Sequence, residues 1–166
     1  MKDSVMIRYT GRTVGVLSLV TMMMVMGCAT PPIDKALNEG MAKRHAPLRY
    51  VLDDSRSNAG TRFFREAWAG EPGESHVNER YRKMALDRIN RYCDLPPSAF
   101  IEARTVSFSE TYIEEVWVFR DPLSKREDGL SGQTVMFRYD PETNRTDVSF
   151  SGACHTAAET TFSFAR

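Results

Sequence analysis

TVMFRYDPETNRTDVSFS, residues 134–151, is the stretch from which the fold is read. Val135, Phe137 and Tyr139 alternate with Thr134, Met136 and Arg138, and beyond them Val148 and Phe150 alternate with Asp147, Ser149 and Ser151. A period of two marks strands with one buried and one polar face. Between the two runs, Asp140-Pro141-Glu142-Thr143-Asn144 supplies turn chemistry, a proline that presets φ and an asparagine that tolerates the left-handed region. An antiparallel hairpin is expected here.

The same pattern extends outward. Tyr112 to Arg120 (YIEEVWVFR) is rich in β-branched and aromatic residues, with Ile113, Trp117 and Phe119 on one face and Tyr112, Val116 and Val118 on the other. Thr105 to Ser109 reads as a further strand, whereas Ala99 to Ala103 fits a helix and a strand equally. Asp121 to Gly132 (DPLSKREDGLSG) is a charged loop long enough to carry function. After the Gly152-Ala153-Cys154 turn, Phe162 and Phe164 alternate with Thr161 and Ser163.

Upstream the period lengthens. From Val77 or Asn78 to Tyr92, the residues Tyr81, Met84, Ala85, Ile89 and Tyr92 fall on one side of a helix, while Arg80, Lys83, Asp87 and Arg91 point away. Arg82 and Arg88 sit at the margins of the apolar face. Pro96 and Pro97 forbid its continuation. Ile33, Ala36, Leu37 and Met41 mark a shorter helix weakened by Gly40, and Leu48, Tyr50 and Leu52 a short strand. Thr61 is placed to cap a helix in which Phe63, Phe64, Ala67 and Trp68 share a face, with Gly70 as its stop and Glu71 to Glu74 as a turn. The expected architecture is α+β, with two or three helices on one face of a four- or five-stranded antiparallel sheet.

Side chains capable of chemistry are scattered. His45, His76 and His155 have no metal-ligand spacing, so neither a metal nor another cofactor is expected. Asp53, Ser55 and Ser57 lack the glycine and the bidentate glutamate of a calcium loop. Cys154 and His155, like Glu114 and Glu115, are adjacent on extended chain and point to opposite faces. Ser151-Gly152 lacks the second glycine of a nucleophile elbow. No catalytic residue is assigned.

The N-terminal segment is of another kind. Lys2, Arg8 and Arg12 precede the apolar run Val14 to Met26, which covers roughly 20 Å as a helix, short of a ~30 Å hydrocarbon core. It ends in Val25-Met26-Gly27-Cys28, which resembles the lipobox of the bacterial lipoproteins, with Val25 in place of the commoner leucine and Met26 a less usual choice at its position. That resemblance, confined to the first thirty or so residues, implies a cleaved signal peptide over 1–27, a diacylglycerol on the Cys28 sulfur and an acylated new N-terminus. Ala29, where an aspartate would retain the protein at the inner membrane, implies the outer membrane, facing the periplasm. Residues 28–33 then form a lipidated tether and 34–166 a single periplasmic domain.

Removing the signal takes three basic residues and one acid, leaving 19 Lys+Arg against 21 Asp+Glu. A net charge near −2 argues against nucleic acid as a partner. With Cys28 lipidated, Cys93 and Cys154 remain, and in an oxidising compartment such a pair is most simply a disulfide, two separate buried thiols being the alternative. Between Asn78 and Cys93 stand five basic residues and two acids. Arg80, Lys83 and Arg91 are the candidate partner-binding residues, with an ordinary solvated face as the competing reading. The function expected is that of an anchored binding or scaffold module for an envelope assembly or secretion complex. The alternative is a wall-directed enzyme or an inhibitor of a wall hydrolase.

Overall fold

The structure, a computed structural model, describes residues 33–165; the expected signal peptide and residues 28–32 of the tether lie outside them. Its centre is the strand β5 (Tyr112–Arg120), in which six consecutive residues from Glu114 to Phe119 are buried. A strand buried on both faces needs cover on both, and the chain supplies it with two different structures.

Five antiparallel strands run in the order β3 (Glu71–Gly73), β4 (Phe100–Phe108), β5, β6 (Leu130–Asp140) and β7 (Arg145–Ser151). The expected hairpin pairs Thr134 with Ser151 through Asp140 with Arg145, and Asn144 takes φ 50° in its turn. One face of the sheet carries Ala103, Trp117, Phe119, Val135 and Phe137, which pack with Ala85, Ile89 and Cys93 of the helix α2 (Glu79–Cys93). Asn78 caps that helix by accepting from the Tyr81 N–H at 3.0 Å, and Asp94 closes it in the left-handed region at φ 55°. The Cys93–Cys154 disulfide ties its last residue to the segment that follows β7.

The other face carries Val116 and Val118, against which Trp68, Ala69, Val106 and Leu130 pack. Trp68 belongs to a second, three-stranded antiparallel sheet in the order β1 (Leu48–Leu52), β2 (Thr61–Trp68) and β8 (Phe162–Ala165). The α+β expectation holds, with a five-stranded sheet and two helices, α1 (Ile33–Lys43) and α2, beside a short 3-10 turn at Pro97–Ala99. The ambiguous residues after Ala99 join β4.

Residues 61–68 are a strand and not the expected helix. Phe64 and Glu66 are buried with the exposed Arg65 between them, the period of two that pairing with β1 and β8 imposes. Glu71 to Gly73, expected as a turn, pairs with β4, and Gly70 alone makes the bend at φ 81°. A Cβ on Gly70 would lie 2.7 Å from the Thr105 carbonyl oxygen. In α2 the buried face is shifted from the one expected: Ala85, Ile89 and Cys93 are inside, whereas Met84 is 39% and Tyr92 76% exposed. The inward face is the one that packs on Trp117, Phe119 and Phe137, and the bonded Cys93 lies on it.

Candidate functional site

The outward side of α2 is a charged feature of the sequence that the fold leaves open. Arg80, Lys83, Asp87, Arg88 and Arg91 are all exposed and recur at helical spacing, so they form one stripe with Met84 among them and Tyr92 at its end. The candidate residues Arg80, Lys83 and Arg91 are thus brought together on one face. Among the described residues, none of the stripe's four cations forms an ion pair within 4 Å. Arg82, by contrast, leaves the stripe and lays its guanidinium over the Phe100 ring, 4.9 Å from its centroid. The capped N-terminus and the disulfide at the C-terminus hold the stripe on a rigid support.

Sequence reasoning missed four buried carboxylates, Glu66, Glu114, Glu115 and Asp121. Glu115 is fully buried and accepts from Ser75 Oγ, the His76 N–H and Trp117 Nε1, each at 2.7 Å. Donors on every side let a carboxylate stand in the core without a cation. It pins the approach to α2 onto the sheet. Glu114, its neighbour on the opposite face, accepts from the Tyr112 hydroxyl at 2.8 Å and meets His45 Nδ1 at 3.0 Å. Burial, then the bond to Glu114 and its charge, push the Tyr112 phenol up to about 12 against a smaller opposing effect of Arg138.

Asp121, at the head of the loop between β5 and β6, which ends at 129 and not at Gly132 as expected, meets His155 Nδ1 at 2.9 Å and accepts from Ser131 Oγ at 2.6 Å and the Leu123 N–H at 2.9 Å. Burial opposes its ionisation, but the bonds from Ser131, His155 and Leu123 outweigh it and hold the carboxyl below the usual aspartate range. The trio has the composition of a catalytic triad and not its geometry. Ser131 is fully buried and donates to the aspartate, so its oxygen is neither exposed nor directed at the imidazole. Cys154 is spent in the disulfide. The trio works as a latch: Ser131 Oγ accepts from the Thr156 N–H at 2.8 Å, and the Thr156 carbonyl accepts from the Lys125 N–H at 2.9 Å.

Arg126 completes the latch. It is buried over the Trp68 ring, 4.8 Å from the centroid, with Asp128 at 3.1 Å, Glu66 at 3.7 Å and Glu159 at 3.9 Å. The charged loop is therefore fastened to both sheets' strands and to the C-terminal segment. A histidine after a turn and an arginine in a loop carry no sequence signal for such a role.

A cleft of about 290 Å³ lies beside the N-terminal end of α2, lined by His76, Tyr81, Glu110, Phe137 and Tyr139 among others. His76 stacks on the exposed Phe108 with ring centroids 4.1 Å apart at its rim. Among the described residues no cluster of three or more His, Cys, Asp and Glu is arranged to hold a metal ion, and no helix is long and apolar enough to cross a membrane. Compared with protein families, with curated proteins and with solved structures, the chain has no match.

Proposed function

We propose that this chain is a lipid-anchored protein of the bacterial cell envelope whose α+β domain is a binding module, the outer face of α2 docking an acidic surface on an envelope protein. The observation that carries the reading is the stripe of Arg80, Lys83, Arg88 and Arg91, exposed and without ion-pair partners among the described residues. Cations left open on a rigid helix steer and orient an acidic partner, whereas cations neutralised within the fold do not. The Cys93–Cys154 bond supports an oxidising compartment and leaves Cys28 as the thiol available for lipid.

The test is a photo-crosslinking residue placed at Lys83 or Arg91 of the full-length protein in living cells. A discrete adduct from both sites, lost in an Arg80→Glu/Arg88→Glu background and absent when the crosslinker replaces Thr143, is expected. No adduct, or one indifferent to the charge reversals, overturns the docking role.

A further inference from the structure

The helix that opens the described chain turns its apolar side outward. In α1, Asp34, Asn38, Gly40 and Met41 are the half-buried positions, and Asn38 is bonded twice to the backbone of Tyr50, which fixes the rotation of the helix. Ile33 is left 49% and Leu37 39% exposed, with Ala36 exposed beside them. These three stand at i, i+3 and i+4, so they form one continuous strip. Lys43 and Arg44 are exposed at the C-terminal end of the same helix, and Lys35 and Glu39 on its flank. A helix packing only on its own domain would be expected to face the other way.

The length of chain before α1 says what covers the strip. Only Ala29-Thr30-Pro31-Pro32 separate Cys28 from Ile33, so at no more than about 3.6 Å per residue the two lie within about 18 Å of each other. Resting on the lipid-anchor reading of Cys28, we infer that the Ile33, Ala36 and Leu37 strip seats in the headgroup interface of the membrane holding the anchor. An interfacial helix sinks its apolar face about 5–10 Å into the headgroup boundary. Lys43 and Arg44 then meet lipid phosphates. Few side chains suffice, because the acyl anchor makes their insertion an intramolecular step.

This seating also orients the domain. The chain leaving α1 passes through His45, which bonds Glu114 on the face of the large sheet opposite α2, and the Arg44 carbonyl accepts from Ser151 Oγ at 2.9 Å. With α1 on the lipid, α2 packs on the sheet face opposite the one that His45 joins.

The experiment places a polarity-sensitive dye on Leu37→Cys of the full-length lipidated protein in vesicles of phosphatidylethanolamine and phosphatidylglycerol. Ile33→Cys serves as a second position, and Thr143→Cys, in the β6–β7 turn, as the control. A blue shift and quenching by lipids spin-labelled near the headgroup are expected at 37 and 33, with neither at 143. Vesicle flotation is read on the same samples. Protein that floats with the dye at 37 and 33 in water overturns the seating and leaves the anchor standing; protein that fails to float removes the anchor and the seating together. A dye shielded yet unquenched by lipid means that protein covers the strip, which also overturns the inference.

Discussion

Asn38 holds Tyr50 by both of its backbone groups: Nδ2 donates to the Tyr50 carbonyl at 2.8 Å, and Oδ1 accepts from the Tyr50 N–H at 2.8 Å. β1 is an edge of its sheet, and at this residue the side-chain amide stands where a neighbouring strand would. Asn38→Ala leaves a half-buried donor and acceptor unpaired and is expected to cost about 1–3 kcal/mol. Asn38→Asp keeps the size but loses the donor, and is expected to be destabilised as well. Urea denaturation of both variants checks this; midpoints equal to the parent's would mean that water replaces the amide at no cost.

The Cys93–Cys154 bond closes a separation of 61 residues between the end of α2 and the segment after β7. On the chain-entropy account its loss costs about 4 kcal/mol. The Cys93→Ala/Cys154→Ala protein is expected to unfold at correspondingly lower denaturant. A reducing agent should destabilise the parent and leave the double variant unchanged. Two free thiols in the denatured, unreduced parent would contradict the bond itself.

The elements with local signals were legible, and those held by distant partners were not. Val135, Phe137, Val148 and Phe150 alternate around a turn, and the hairpin follows from them alone. Residues 61–68 satisfy a helical spacing equally well, and the strand wins because β1 and β8 pair on either side of it. Its inward position Glu66 is held by Tyr50 and Arg126, both remote in the chain. The same holds for α1, where polar Asn38 faces the domain and apolar Leu37 does not. It holds for Asp121, whose partner His155 carries no spacing signal. Of the candidate site, the basic residues of α2 were legible because charge on a helix face is a local pattern; which flank was buried depended on packing against distant Trp117, Phe119 and Phe137.

Acid should act on the latch. The Asp121 carboxyl is held below its usual range despite burial, chiefly by Ser131 and His155, so the folded state binds its proton more weakly than the unfolded chain does. The stability this contributes is present above the unfolded aspartate value, about 4, and is lost as pH falls toward and through the folded one. Asp121→Asn is expected to flatten the acid limb of stability against pH below about 4. An acid limb as steep as the parent's would remove Asp121 from that role.

Tyr112 gives the complementary test in base. Its phenol is pushed up to about 12, first by burial and then by the bond to Glu114. The neutral form is favoured in the fold, so this stabilisation is present below the ordinary tyrosine value, about 10, and is lost as pH rises through the folded one. The difference in phenolate absorbance between the parent and Tyr112→Phe is expected to titrate near 12. Glu114→Gln should bring that transition down toward 10. A transition already near 10 in the parent would show the Tyr112–Glu114 bond to be broken in solution.

Two glycines predict opposite effects of one methyl group. Gly132, on β6, lies under the Trp68 ring so closely that an added Cβ would fall well inside van der Waals contact with Cζ3 and Cε3. That ring is itself covered by the Arg126 guanidinium, so it has little freedom to withdraw, and the contact joins the two sheets. Gly132→Ala should therefore overpack the junction and cost about 1–3 kcal/mol. Gly40, inside α1, has nothing within 4 Å of its added Cβ and no left-handed backbone to protect. There alanine only restricts the unfolded chain and favours the helix, so Gly40→Ala should gain about 0.5–1 kcal/mol. Thermal or urea unfolding of the two variants side by side measures both signs. A tolerated Gly132→Ala would mean that Trp68 does not sit against β6 as the structure places it, and with it the packing of the small sheet on the large one would have to be redrawn.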